Sequence, residues 1–374
     1  MDITVSHLIR IMNEIAPPFL SESWDNSGLQ VGDRNWTVKK ICLALDATTD
    51  VVERAVKDNI DLLITHHPLI FKSIKAIDLQ TPLGRIINLC LNHKLAVFSA
   101  HTNYDSATGG VNDALAEKIG LTRLLPLCQT RSDKPETYKF IVYVPKDYKD
   151  QILESLFQSG CGNIGNYSSC SFSVEGTGTF KPGETSNPST GSKGMLNHVE
   201  EVRIEAVIEK DKIAQTILNV NKVHPYETVA YDIYPLVPDM SGEGLGRIGE
   251  LPQTISFQSF VSTIKANLNI KTVKTAGPMN QQIRKVVVCS GSGGSLIDRF
   301  FQSGADCYVS GDLHYHDAKL IAENGKTMID IGHFSSEHMV LDVLKHKLLN
   351  GMTEKKINID ITCSDLEKDP FHYM

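Results

Sequence analysis

Two adjacent imidazoles, His66 and His67, stand at the end of a short apolar run, Asp61-Leu62-Leu63-Ile64-Thr65, and Pro68 follows them directly. Proline cannot donate a ladder hydrogen bond, so the run reads as a buried strand that stops at the histidine pair. A second run, Leu95 to Ala100, stops in the same way at His101-Thr102-Asn103-Tyr104-Asp105. A third, Thr327 to Ile331, leads into Gly332-His333-Phe334-Ser335-Ser336-Glu337. His333 and Glu337 are four residues apart, a spacing that puts both groups on one face of a helix start. These strand ends deliver His66, His67, Asp105, His333 and Glu337 to the place where open α/β sheets hold ligands. Mixed imidazole and carboxylate donors suit zinc, manganese, iron or nickel rather than calcium or a thiolate site. Two such donor sets also suit two ions that share a bridging carboxylate, as in hydrolytic dinuclear centres. The cofactor expected on this reading is a pair of divalent metal ions, with zinc the first choice.

Other polar residues at strand ends are candidates to orient a ligating ring or to meet a substrate: His101, Asp312, His314 and His316. His101 and His314 are the acid/base candidates. Ser290-Gly291-Ser292-Gly293-Gly294 follows a strand and opens a helix, so its backbone N–H groups could hold an anion; a tight turn explains it equally well. No Lys-Ser/Thr follows it, so it is not a Walker loop. His224-Pro225-Tyr226-Glu227 has the residue types of a site, although Pro225 also serves simply to end a helix. No Gly-x-Ser-x-Gly elbow occurs, and spacing supports no Cys/His nucleophile pair.

The elements that position these residues alternate. Leu8, Ile9, Ile11, Met12 and Ile15 form a helical stripe over Ser6 to Ile15, ended by Pro17-Pro18. The stretch Ser23 to Gly32 reads as a packed loop. Then follow a strand at Ile41 to Leu45, a helix at Asp50 to Asp58, the histidine strand, a helix at Pro82 to Leu91, the strand Leu95 to Ala100, and a helix at Gly110 to Ile119. That order implies a parallel sheet covered by helices. After Pro126 the pattern changes: strands at Tyr138 to Val144, Tyr167 to Val174, Val202 to Ile208 and Val229 to Leu236, with helices at Lys149 to Gln158 and Lys212 to Val220. This β-α-β-β-α-β order is ferredoxin-like. Gly176 to Met195 reads as a loop, and Ser241 to Gly249 as the loop that returns the chain. From Ile255 the alternation resumes with a helix at Phe257 to Leu268 and a last strand at Ile357 to Ile361. The expected fold is α/β: a compound domain of two parallel-sheet halves, residues 1–125 and 246–374, with an α+β domain inserted at 126–245.

Composition narrows the function. The chain has 374 residues, 41% apolar and 22% charged, with a net charge of −7. An acidic balance argues against nucleic acid, which needs a concentrated basic face. It leaves room for a small anionic ligand held by a local patch or a metal. No run approaches the roughly 20 apolar residues of a membrane span, and Met1-Asp2-Ile3-Thr4 is not a signal-peptide start. The eight cysteines are scattered singly, with no Cys-x-x-Cys pair. Reduced, packing thiols in a cytoplasmic protein are the expectation.

Taken together, several motifs resemble those of the NGG-interacting-factor-like family, whose members are often labelled GTP cyclohydrolase I type 2 homologues. They are Trp24-Asp25-Asn26-Ser27-Gly28-Leu29, Thr65-His66-His67-Pro68, His101-Thr102-Asn103-Tyr104-Asp105, Ser310-Gly311-Asp312 with His314, Gly332-His333 with Glu337, and Asp369-Pro370-Phe371. The middle unit, with Gly176-Thr177-Gly178-Thr179-Phe180 and His224-Pro225-Tyr226-Glu227, is similar to the PII/CutA-like insertion of longer bacterial members. The resemblance implies a dinuclear centre in a ring-shaped homohexamer, with His66, His67, Asp105, His333 and Glu337 as ligands and Glu337 as the bridge. The function it implies is a metal-dependent hydrolase acting on a nucleotide-like small molecule. The alternative is a non-enzymatic metal- or ligand-sensing scaffold whose insertion docks partners.

Overall fold

Leu62–Thr65 (β3) is buried along its whole length, because both faces of its sheet are covered. In the computed structural model, which describes residues 2–129, 136–165, 167–236 and 242–372, β3 lies in a five-stranded sheet. Its partners are Gly28–Val31 (β1), Lys40–Ala44 (β2), Ala96–Ser99 (β4) and Asp360–Cys363 (β15), in the order β1-β4-β3-β2-β15. β15, β2, β3 and β4 run parallel, and β1 is antiparallel. One face packs against helices Val5–Ile15 and Val340–Glu354, around Leu8, Ile41, Ile64, Leu344 and Leu348. The other packs against Thr49–Lys57 and Pro82–His93, around Val52, Leu63, Ile87 and Val97.

A six-stranded sheet follows the same plan. It contains Thr122–Gln129 (β5), Gly244–Ser256 (β10), Lys274–Ala276 (β11), Gln282–Ser292 (β12), Cys307–Gly311 (β13) and Thr327–Asp330 (β14), ordered β11-β14-β13-β12-β10-β5. β12, β13 and β14 are parallel; β5, β10 and β11 join antiparallel. The expected parallel sheets are therefore parallel only at their centres, and the fold is mixed α/β. The two halves also exchange strands: β5 precedes residue 130 yet edges the second sheet, and β15 comes last yet edges the first. Positions 126 and 245, the expected domain limits, lie inside β5 and β10, which pair with each other. Ser23 to Gly32 is not all loop, since β1 pairs with β4. The return loop is strand from Gly244 onward, and its Ser241 lies outside the described residues. Glycine-rich sequence hides these strands because partner strands remote in sequence, not local propensity, hold them.

By internal contacts, Met1–Arg131 with Ser241–Met374 form one unit and Ser132–Met240 a second. The second unit holds Thr137–Pro145 (β6), Ser171–Phe180 (β7), Asn197–Glu209 (β8) and Tyr231–Pro235 (β9) in an antiparallel sheet ordered β7-β8-β6-β9. Helices Lys149–Gln158 and Ile213–Val223 pack on one face, around Phe140, Ile152, Leu156, Ile204 and Val220. β7 starts later than expected and runs through Gly176-Thr177-Gly178-Thr179, where Gly178 leaves room for the Glu201 carboxylate on β8.

Arg247 on β10 is almost fully buried and grips Asp113 through Nε and Nη2. Its Nη1 donates to the Gly244 and Gly246 carbonyls and its Nη2 to that of Ala107. Removing one member strands the other charge out of water, so Arg247→Ala is expected to cost about 3–5 kcal/mol. Urea unfolding checks this; a loss of less than about 1 kcal/mol, the range of a surface pair, would contradict it.

Candidate metal centre

The carboxyl ends of the parallel strands of both sheets bring the histidines and carboxylates together. His66 and His67 directly follow β3, His101 follows β4 by two residues, and Asp312 directly follows β13. Beyond β14, Gly332 takes a positive φ of 80° and starts the short helix His333–Glu337. Asp105 is on the helix Thr102–Ser106, which begins beside His101.

His66 is 3% exposed, and its Nδ1 lies 2.9 Å from the Ala100 carbonyl. Nδ1 therefore carries a proton, so in the neutral ring Nε2 keeps a bare lone pair. Among the described residues that Nε2 has no hydrogen-bond partner, and it faces Glu337 Oε1 at 3.6 Å and Asp105 Oδ1 at 3.7 Å. His67 and His333 repeat the pattern with carboxylates behind them: Asp46 Oδ1 is 3.0 Å from His67 Nδ1, and Asp312 Oδ2 is 2.7 Å from His333 Nδ1. Their Nε2 atoms point at each other across 3.3 Å, with Glu337 Oε2 3.0 Å and 3.2 Å away. Oε2 is buried and, among the described residues, also lacks an aligned donor. Imidazole nitrogens and carboxylate oxygens turned inward, with their outer atoms hydrogen-bonded, form the donor set of a metal site. A cation relieves the lone-pair repulsion that this arrangement otherwise imposes. The residues fit the implied group.

Glycine makes the pocket possible. Gly291 has a φ of 59°, and a Cβ there would overlap Glu337 Oε1. Ser290 and Gly291 back this pocket, and their N–H groups are already engaged. Ser290 N donates to Asn112 and Gly291 N to Ser336, while Ser290 Oγ donates to Asp105 Oδ1 at 3.2 Å.

One ligand atom each of His66, His67 and His101 lies within 4.8 Å of the others, and His67, His333 and Glu337 form a second such group. His101 Nδ1 is 2.8 Å from Asp25 Oδ1, and Asp25 Oδ2 accepts from Thr102 N, Thr102 Oγ1 and Ser27 Oγ. Trp24-Asp25-Asn26-Ser27 is thus the bracket that holds His101. His314 stands apart: it is exposed at the start of helix Tyr315–Glu323, where Asp317 accepts its backbone N–H, and neither group of ligand atoms includes it. His316 is exposed on the same helix. His224 bonds the Tyr143 carbonyl and the Tyr226 N–H, which makes it a turn cap within the middle unit.

Sequence reading missed Asp46 and Glu367. Asp46 follows β2 by two residues, the same strand-end signal that marked the histidines. Glu367 accepts from Leu45 N and Asp46 N at 2.8–2.9 Å, and no local pattern announces a partner more than 300 residues away.

Burial opposes the charge on His67, but the Asp46 and Glu337 carboxylates beside it outweigh that and lift the ring to about 10. For His333 the adjacent Glu337 carboxylate dominates and lifts it to about 9. Burial likewise pushes Glu337 upward, yet the His66 charge and the surrounding imidazoles hold it well below the usual carboxylate range.

Fold and site together define a mixed α/β protein with a histidine- and carboxylate-lined pocket able to hold metal. The family model described as Duf34/NIF3 (NGG1p interacting factor 3) matches residues 3–370, and the chain belongs to that family. A Bacillus subtilis (strain 168) relative called GTP cyclohydrolase 1 type 2 homolog is 38% identical over 367 residues, 98% of each chain. A crystal structure of a Bacillus cereus protein related to NIF3 is similar at 37% identity and a TM-score of 0.72, over 100% of both chains. A Staphylococcus aureus crystal structure is similar at 30% identity and a TM-score of 0.76, covering 100% of this chain and 99% of its own.

In the metal-free protein, raised histidine values favour folding while the rings are protonated. That contribution is full below about pH 6.5, the unfolded value, and is lost as pH rises through about 9 and 10. Chelator-treated protein is therefore expected to melt at a lower temperature near pH 10 than near pH 7, more steeply than a His67→Gln/His333→Gln variant. Calorimetric curves that stay parallel for the two proteins would contradict the assignment.

Proposed function

We propose that the chain is a metal-dependent hydrolase that holds two divalent ions, zinc in the first instance, and acts on a nucleotide-like small molecule. The single observation behind this is Glu337: one buried carboxylate presents Oε1 to His66 and Oε2 to His67 and His333. On this reading His66 and Asp105 would hold one ion and His67 and His333 the other, with Glu337 shared between them. Bound there, the ions would bring the pKa of a shared water to about 7 and offset charge that develops on the substrate.

The chain's own part is orientation and proton handling. Asp46 and Asp312 fix the outer nitrogens of His67 and His333, which keeps Nε2 free for an ion. Asp25 fixes Nδ1 of His101 and leaves its other nitrogen to face His66 and His67. His101 is thus placed to take a proton from the attacking water or give one to a leaving group; His314 carries no such support. The pocket that continues from His67 and His333 has a volume of about 830 Å³ and is walled by Lys274, Phe334 and the tail from Leu366 to His372. That space takes a nucleotide-sized molecule, and the relatives' name makes GTP the first to try.

The antiparallel order β7-β8-β6-β9 supports reading the middle unit as the ferredoxin-like, PII/CutA-like insertion that the family resemblance implies. Its own cavity of about 330 Å³, beside Phe180, Lys181, Glu201 and Tyr226, favours the second reading, a ligand-sensing scaffold. The proposed setting is cytoplasmic, as a homohexamer; a monomer-sized species by light scattering would remove the hexamer.

A nucleotide panel with zinc- or manganese-loaded protein tests the hydrolase reading. Turnover is expected to fall by at least about 100-fold, the cost of losing a transition-state contact, in both His67→Ala and Glu337→Gln. Turnover that survives both changes in metal-free protein would refute it. Tight binding without product would favour the sensing scaffold.

A further inference from the structure

The last strand and the residues after it behave as one strap across the mouth of the pocket. β15 pairs parallel with β2 up to Cys363 opposite Leu43, and Ser364 N then donates to the Leu43 carbonyl at 2.8 Å. Backbone pairing with β2 gives way there, and the chain runs on beyond β2 through Leu45 and Asp46. Their N–H groups are taken by the carboxylate of Glu367: Leu45 N is 2.9 Å from both oxygens, and Asp46 N is 2.8 Å from Oε1. A side chain replaces the missing strand.

The consequence reaches the metal site. Asp46 is the residue whose carboxylate holds His67 Nδ1. Without Glu367, two backbone donors at a sheet edge lose their acceptor, and the turn that aims Asp46 loses its anchor. The site also sets a cost on this arrangement, because Glu367 is placed beside another carboxylate and burial pushes its own pKa up. A carboxylate kept half-buried next to Asp46, when a neutral acceptor would be less costly, points to a role beyond closing a sheet edge.

We infer that Glu367 is a positioning residue: through Leu45 and Asp46 it sets the orientation of His67 and thereby the affinity of one of the two metal positions, leaving the other unaffected. This rests on the two-ion reading above. It also makes the C-terminal strap part of the site, since Leu366 to His372 form a wall of the same cavity.

Cobalt(II) titration of metal-stripped full-length protein, followed by absorbance and by metal content after dialysis, tests it. Wild type is expected to take two equivalents. Glu367→Ala is expected to take one equivalent as wild type does and the second 10–100-fold more weakly, the usual effect of losing an outer-shell partner. Asp46→Ala should show the same split, and the double variant should lose no more than either single one, because both act along one chain of contacts. Should the alanine variant fail to fold by circular dichroism, Glu367→Gln carries the test; it preserves side-chain size but loses one acceptor, and the second equivalent should again weaken. Normal uptake of both equivalents by the folded variant, or losses that multiply in the double variant, would overturn the positioning role. Wild type taking no cobalt would overturn the two-ion reading itself, an outcome separate from a normal Glu367 variant.

Discussion

A carboxylate buried among imidazoles is the constraint on which the pocket depends. Glu337 is 3% exposed, and a bare charge at such a place is costly unless opposite charge or donors surround it. Here the surroundings are His66, His67 and His333, each with its far nitrogen already engaged by Ala100, Asp46 or Asp312. The imidazoles can stabilise Glu337 in two ways: as protonated rings, or as neutral ligands around a cation that they share with it. The same geometry accounts for the raised histidines and for the fit to metal. The rest of the unit serves to bring these groups to one point. Two helix-covered sheets hold the strand ends, the glycine at 291 leaves Glu337 the space a side chain would fill, and the glycine at 332 supplies the positive φ from which the His333 helix starts.

Much of this was legible in the sequence, for a definite reason. His66, His67, His101, Asp105, His333 and Glu337 each lie within a few residues of the end of an apolar run, so strand periodicity alone placed them. What escaped depends on contacts between distant segments. Nothing near Glu367 marks it as the acceptor for Leu45 and Asp46, and nothing near Asp25 marks it as the partner of His101. The exchange of β5 and β15 between sheets is invisible for the same reason: a strand's own residues do not name its neighbour. Ser290 to Gly294 offers a different lesson. Its composition allowed an anion loop, but Asn112 and Ser336 take the N–H groups of Ser290 and Gly291, and only the folded chain can reveal that.

Membership of the Duf34/NIF3 family and the geometry of the pocket constrain different things. Family membership fixes the fold over nearly the whole chain. It does not fix a reaction, because one fold hosts many chemistries. The pocket bears on the chemistry: donors that point inward, outer atoms that are satisfied, and an adjoining cavity of nucleotide size. The hydrolase reading draws on the pocket, and the choice of GTP as first substrate draws on the relatives' name alone. These supports are independent, so the metal centre can stand even if GTP is not the substrate.

The most direct test is an anomalous-scattering map from a crystal of the full chain equilibrated with zinc and measured at the zinc edge. Two peaks about 3.5–4 Å apart, one between His66 and Asp105 and one between His67 and His333, with Glu337 between them, are predicted. A map with no peak at these residues under zinc-replete conditions, or with zinc bound only elsewhere on the chain, would contradict the account at its centre.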